Sequence, residues 1–113
     1  MENNEIEKGK PVVCVEITEY VPNAILSKTI IKKLTGNVTV TAVDEGEETA
    51  EKTSPFDVFV QIIDGEAKLQ LKEKEIKLVR GEGILIPAHS RHNFNADQKF
   101  KMMCTIFKSG YEE

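Results

Sequence analysis

Apolar and polar side chains alternate with a period of two along most of this chain of 113 residues, from Pro11 onward. Residues 37–43 alternate valine and alanine with threonine, and residues 100–107 show the same period with larger side chains. Such alternation places successive side chains on opposite faces of an extended chain, where β-branched residues are favoured. The pattern predicts an all-β protein of about eight short antiparallel strands, and a sandwich or a barrel is the expected architecture.

Turn-forming residues between the alternating runs set the strand boundaries. Asp64 and Gly65 separate two apolar runs and predict a tight hairpin turn, because Asp-Gly readily adopts the positive φ that such turns require. Residues 24–34 also fit one face of a helix, but the β-branched run at residues 29–31 favours a strand. The predicted strands are residues 11–18, 24–34, 37–43, 58–63, 67–72, 76–78, 84–86 and 100–107.

The length fits a single domain, since compact domains most often run to roughly 100–150 residues. We expect a flexible N-terminal tail over residues 1–10, one β-barrel domain over residues 11–109 and a C-terminal tail over residues 110–113. The 15 lysines and arginines against 19 aspartates and glutamates give a net charge of −4, which argues against nucleic acid as a partner. The sequence has neither a stretch of roughly 18 apolar residues nor a secretory signal, so we expect a cytoplasmic protein without membrane contact.

The two cysteines, Cys14 and Cys104, lie far apart in apolar surroundings. Neither belongs to a Cys-x-x-Cys or Cys/His spacing of the kind that binds a metal. In a cytoplasmic protein a disulfide is uncommon. We therefore expect both to be reduced core residues.

The middle of the chain resembles the first of two motifs of the cupin family, whose members are small jelly-roll barrels. In that family the motif runs from a glycine through a His-x-His pair and a glutamate to a second glycine. Gly46 and Gly65 hold the two glycine positions. The two histidine positions and the glutamate position hold Lys52, Ser54 and Val58.

The second cupin motif runs from a glycine through Pro-x-Gly to a histidine and an asparagine. Gly81, Pro87 and His92 match it, whereas His89 stands at its second glycine and Ala96 at its asparagine. The retained glycines and the proline suit sharp turns and strand ends, so the positions that determine the fold are kept. The resemblance implies a double-stranded β-helix, the cupin or RmlC-like jelly-roll barrel, among small single-domain members of unassigned function.

The resemblance also implies where a metal would bind. The usual cupin centre takes two histidines and a carboxylate from the first motif and one histidine from the second. In this chain those positions hold Lys52, Ser54, Val58 and His92, of which only the imidazole is a good ligand for a transition metal. We therefore expect a barrel without a metal or other cofactor.

His89 permits two interpretations. With His92 it forms a His-x-x-His pair, which is the fallback site for a divalent transition metal if both side chains point inward, with Cys104 as a third donor. The interpretation that we favour is a solvated turn residue that replaces a glycine and adopts positive φ, a region in which histidine is enriched.

Lys52, Ser54 and His92 are the residues that we expect to bind a ligand. The resemblance points His92 into the barrel, next to the positions of the other two. One cation, one hydroxyl and one titratable ring suit a small polar or anionic molecule. Alternatively, the lysine extends to solvent and the histidine only bonds to a neighbour.

Other functions remain open, among them two enzymatic ones. The first is an epimerase that uses His92 as catalytic base with Tyr20 or Tyr111 as acid, as in related barrels without a metal. The second is a metal-dependent oxygenase or isomerase built on His92 and His89. A sensor is also possible, with DNA-binding helices supplied by another protein. The resemblance and the valine-rich strand at residues 11–18 together predict a homodimer.

Overall fold

The computed structural model describes residues 5–111, which form seven β-strands and one short 3-10 helix. The all-β prediction is confirmed, and the ambiguous residues 24–34 contain a strand rather than a helix. Within the described range, no helix is long and apolar enough to cross a membrane. The strands are β1 (Ile25–Lys33), β2 (Gly36–Val43), β3 (Val58–Leu71), β4 (Lys74–Val79), β5 (Gly83–Ile86), β6 (His92–Asn95) and β7 (Phe100–Phe107), and the 3-10 helix is Cys14–Glu16.

The strands form two antiparallel sheets that share one long strand, β3. The first half of β3 lies between β7 and β5, and β7 is followed by β2 and β1. The second half of β3 lies between β4 and β6. Because one strand belongs to both sheets, the sheets close around a common interior.

The core takes side chains from both halves of β3. Val60 and Ile62 from the first half and Leu69 from the second half are at most 1% exposed. Phe94 of β6 and Phe100 of β7 connect the two sheets, with ring centroids 6.1 Å apart. Burial of one such side chain contributes about 1.5–3 kcal/mol, so this contact zone holds the sheets together.

β3 passes from one sheet to the other at Asp64 and Gly65, where the predicted hairpin turn does not form. The pairing of β3 with β7 shifts between Ile62 and Asp64, which marks a β-bulge. Gly65 has a φ of +74°, and a β-carbon there would collide with the carbonyl oxygen of Lys99. The hairpin prediction is wrong because the same positive φ serves a bulge that bends a continuous strand.

The tight hairpin lies further along, between β3 and β4. Leu71 pairs with Lys74, and the two turn residues are Lys72 and Glu73. Lys72 supplies the positive φ, at +55°, without an asparagine or glycine. This turn therefore lacks the usual sequence signal. The short strand β6 was missed because Phe94 is its one apolar side chain, which is too few to show alternation.

Residues 11–18 do not form the predicted strand. They contain the 3-10 helix, and Lys101 of β7 donates from Nζ to the carbonyl oxygen of Val15. Close by, the Tyr20 hydroxyl donates to Asp64 of β3 over 2.6 Å. Hydrogen bonds with side chains of the sheet, rather than a backbone ladder, thus fix the position of this segment. Cys14 is exposed, so the core prediction is wrong for this thiol, and neither cysteine is in a disulfide.

The predicted tails are only partly described. Residues 1–4 and 112–113 lie outside the described residues. The Ile6 amide donates to the carbonyl oxygen of Ile30 in β1 over 3.3 Å. The boundaries of the tails and of the domain stay predictions.

We predict that Gly65→Ala lowers the free energy of unfolding by about 3 kcal/mol or more, because it combines an unfavourable φ with a backbone collision. Gly46→Ala is the matched control, since Gly46 has a φ of +86° but nothing within 4 Å of an added β-carbon. The control loses about 1 kcal/mol. Urea denaturation measures both, and equal losses would contradict the importance of the close approach at Gly65.

Candidate functional site

A cavity of about 540 Å³ lies inside the barrel and is open at one end. Its volume falls within the range of small-molecule sites, roughly 300–1,000 Å³. The walls combine apolar side chains, among them Val58, Val60, Phe94, Met102 and Ile106, with a smaller set of polar ones. Lys52, Ser54 and His92, the three predicted ligand-binding residues, all line it.

Backbone pairing brings Lys52 and His92 together. The Lys52 amide donates to the His92 carbonyl oxygen over 2.9 Å, and the His92 amide donates to the Lys52 carbonyl oxygen over 3.0 Å. This is an antiparallel bridge between the segment before β3 and the first residue of β6. Residues opposite each other in such a bridge present their side chains on the same face. The ammonium and the imidazole therefore belong to one wall.

The hydrogen bonding of His92 fixes which ring nitrogen is free. The residue is only 9% exposed, and its Nδ1 lies 3.0 Å from the carbonyl oxygen of Ser90. A carbonyl oxygen can only accept, so Nδ1 donates in this contact. Nε2 is left for the cavity, where it accepts a hydrogen bond when the ring is neutral and donates one when it is protonated.

Lys52 lies at the rim, where its side chain is exposed. Its charge still acts on the cavity wall, because it counters part of the effect of burial on Cys104. Burial dominates, and it raises the pKa of the Cys104 thiol to about 11. Lys52 also lines the cavity, so its ammonium is available to a negative charge bound there.

Hydroxyl groups add hydrogen-bond donors to the same cavity. The Ser54 Oγ accepts from the Phe56 amide over 3.0 Å, so its own proton is available to a ligand. Thr49 likewise accepts from the Phe94 amide over 2.8 Å. Ser27 and Thr41 share one hydrogen bond of 2.7 Å across β1 and β2. The polar part of the cavity is thus rich in donors.

Thr39 and Thr41 contribute hydroxyls to the cavity that were not predicted from the sequence. Period-two alternation in β2 places these threonines on one face and Val40 and Ala42 on the other. The threonines line the cavity, while the valine and the alanine are buried at 0% and 1% exposure outside the main core cluster. The alternation could have identified the two faces, but not which of them is internal.

His89 lies apart from this cavity. It is exposed, has a φ of +66° and lines a separate cleft on the surface. Its amide donates to the Ser54 carbonyl oxygen over 2.6 Å. The expected positive φ is confirmed, and the structure does not bring His89 and His92 to one cavity.

The residues at the usual cupin metal centre do not fit a metal. A protonated lysine, a serine hydroxyl and a valine stand beside His92, and only the imidazole is a good ligand. Cys104 also lines the cavity, but together with His92 it makes only two good donors, fewer than the three or four protein ligands of a typical transition-metal site. Across residues 5–111, no three histidine, cysteine, aspartate or glutamate side chains are grouped so that they could hold a metal ion.

The two tyrosines considered as acid partners lie outside the cavity lining. The Tyr20 hydroxyl donates to Asp64, and burial together with this carboxylate raises the pKa of Tyr20. The Tyr111 hydroxyl accepts from the Asp57 amide over 2.7 Å. Neither residue contributes to the cavity that contains His92.

The two-sheet barrel with its internal cavity is that of a small cupin, as the sequence motifs imply. A family model described as the AraC-like ligand binding domain matches residues 36–109, and the chain belongs to this family. No curated protein matches the sequence.

Solved structures support the same fold. A conserved protein of unknown function from Streptococcus pyogenes is 27% identical, with a TM-score of 0.88 over 96% of this chain and 94% of that chain. A cupin superfamily protein from Desulfitobacterium hafniense is 22% identical, with a TM-score of 0.86 over 95% and 97% of the two chains. A cupin 2 conserved barrel domain protein from Leptotrichia buccalis is 28% identical, with a TM-score of 0.80 over 83% of this chain and 46% of that chain.

We predict that the two cysteines differ strongly in their reaction with iodoacetamide. Only a thiolate reacts, so at pH 8 the exposed Cys14 is modified first, and Cys104, with a pKa of about 11, lags behind. The rate at Cys104 rises about tenfold per pH unit below its pKa. Mass spectrometry of the peptides measures both rates, and equal modification at pH 8 would contradict the environment described for Cys104.

Proposed function

We propose that this protein binds a small molecule with an anionic group inside the barrel, without a metal. The observation that carries the proposal is the convergence of Lys52, Ser54 and His92 on one wall of a cavity of about 540 Å³. The family model supports it, because it describes a ligand-binding domain. The proposed activity is binding rather than catalysis.

The polar wall accounts for the anionic group. A carboxylate beside Lys52 gains a charge-assisted hydrogen bond, which is stronger than a bond between neutral groups. The Ser54 hydroxyl proton supplies a second donor. Nε2 of His92 then either accepts from a ligand hydroxyl or, when protonated, donates to the carboxylate.

The apolar wall accounts for the rest of the ligand. Val58, Val60 and Ile106 line the cavity together with Met102 and Phe94. Apolar groups buried there contribute about 25 cal/mol per Å². The cavity therefore favours an organic acid with an apolar body over a fully hydroxylated molecule.

Chemistry of the donors supports binding without a metal. Lys52 stands at a position that holds a metal-binding side chain in the cupin motif. Its ammonium is a cation, so it repels a metal ion there. The fallback pair gains no support, because His89 and His92 line different cavities. The epimerase alternative likewise lacks a tyrosine in the cavity.

Several earlier expectations stay predictions. The homodimer rests on the family resemblance alone, since residues 11–18 offer no strand for a partner. The cytoplasmic location and the exclusion of nucleic acid and membranes rest on the sequence.

The ligand class can be tested with a library of small carboxylic acids, each paired with its neutral amide, screened by NMR chemical shifts of the protein. We expect acids to shift the amides around Lys52 and His92 and the paired neutral amides to bind at least about tenfold more weakly, which corresponds to about 1.4 kcal/mol. Lys52→Gln removes this preference for acids. Lys33→Gln, which removes an exposed positive charge outside the cavity lining, retains it.

A second readout is independent of Lys52. In a Cys14→Ser background, a ligand in the barrel protects Cys104 from iodoacetamide because this thiol lines the cavity. Acids that bind equally well to Lys52→Gln, or that leave Cys104 unprotected at saturation, would contradict the proposal.

We predict that untagged protein contains far less than one equivalent of iron, manganese, nickel, copper or zinc. Added metals leave its melting temperature unchanged, because one imidazole is too few ligands for a stable site. Elemental analysis and melting curves test this. About one equivalent of metal with a clear rise in melting temperature, abolished by His92→Ala, would overturn the metal-free proposal.

A further inference from the structure

A second opening lies on the outer surface, at the tip of the β3–β4 hairpin. It is a cleft of about 710 Å³ and has no lining residue in common with the barrel cavity. One side consists of the turn residues Lys72 and Glu73 with Lys74, and the other side of the loop before β6 with His89 and Arg91. The cleft thus holds three permanent cations, one imidazole and a single carboxylate.

The cations of this cleft differ in their ion pairing from two other lysines of the same sheet. Lys77 of β4 pairs with Glu66 at 3.3 Å, and Lys68 of β3 pairs with Asp97 at 2.5 Å. Within residues 5–111, no carboxylate oxygen lies within 4.0 Å of the charged nitrogens of Lys72, Lys74 or Arg91. The chain has a net charge of −4, yet this cleft holds an excess of positive charge, since Glu73 offsets only one of its three cations.

Backbone geometry holds the cationic residues in place. The Lys72 amide donates to the Arg91 carbonyl oxygen over 2.8 Å, which joins the two sides of the cleft. Lys74 is fixed by its pairing with Leu71 at the hairpin end. Both Lys72 and His89 adopt positive φ, at +55° and +66°, so the turn on each side has a defined shape. The backbone positions that carry the charged side chains are therefore set before any ligand binds.

We propose that this cleft is a second binding site and that it takes a phosphoryl group, either free phosphate or the phosphate of a small ester. A guanidinium offers paired N–H donors that match two oxygens of a phosphate, and lysine ammonium groups bind the remaining charge. The three cations and the carboxylate of Glu73 leave an excess of two positive charges, which a dianion matches. A monocarboxylate neutralises only one of them. This site is additional to the ligand site proposed inside the barrel.

The test uses inorganic phosphate as the probe, added at constant ionic strength and followed by amide chemical shifts of the full chain. We expect saturable shifts at Lys72, His89 and Arg91. The double variant Lys72→Gln/Arg91→Gln weakens binding at least about tenfold. Lys77→Gln is the matched control, because it removes a positive charge from the same hairpin outside the cleft and leaves the affinity unchanged.

Each other outcome overturns the proposal. Shifts centred on Lys52 and His92 would assign phosphate to the barrel, and this result would support the proposed barrel function while removing the second site. Equal weakening by the double variant and by Lys77→Gln would indicate a general effect of surface charge. Chemical shifts that increase with phosphate without saturating would indicate that the anion only screens surface charge and does not bind at one site. Melting curves of all variants show that a loss of binding does not reflect unfolding.

Discussion

The structure depends on one strand that belongs to two sheets. β3 can pair with β7 and β5 along its first half and with β4 and β6 along its second only because it bends at Asp64 and Gly65. The bend needs a residue with positive φ and no β-carbon, since the carbonyl oxygen of Lys99, just before β7, lies against the backbone there. Glycine alone meets both requirements at no steric cost. The closure of the barrel, and with it the existence of an interior, follows from this residue.

The interior has a polar and an apolar side. Hydroxyl side chains from β1, β2 and the segment before β3 line the cavity, whereas Phe94 packs against Phe100 in the core. The outer face of β2 is buried as well. Lys101, which pairs with Ala42 across β7 and β2, bonds to the N-terminal segment, and Val40 and Ala42 are 0% and 1% exposed, so the second half of β2 is buried on both faces.

Sequence patterns predicted most strands and the barrel because both depend on local alternation and on a few glycines and prolines. They failed where tertiary contacts decide between equivalent local conformations. Asp64 and Gly65 suit a turn or a bulge equally, and the pairing of β3 with β7 selects the bulge. The valines of residues 11–18 fit a strand, but bonds from the sheet hold a 3-10 helix there. In the candidate site, the motif spacing correctly predicted that Lys52, Ser54 and His92 lie together. It could not predict which face of β2 points inward, because that depends on which segments cover the other face.

The bridge between Lys52 and His92 relates the proposed anion site to the metal centre of the cupin pattern. In the cupin pattern these two positions hold metal ligands, so the backbone bridge brings two side chains to a shared point in the cavity. Replacing one imidazole with lysine keeps a positive charge near that point but attaches it covalently to the chain. Because the ammonium is part of the chain, no other side chains are needed to hold the positive charge. Ser54 and Val58 can therefore occupy the other metal-ligand positions. In the proposed site, the ammonium takes the place of the metal charge and attracts the anionic group. The proposed binding function therefore uses the positions that the resemblance assigns to metal ligands in other cupins.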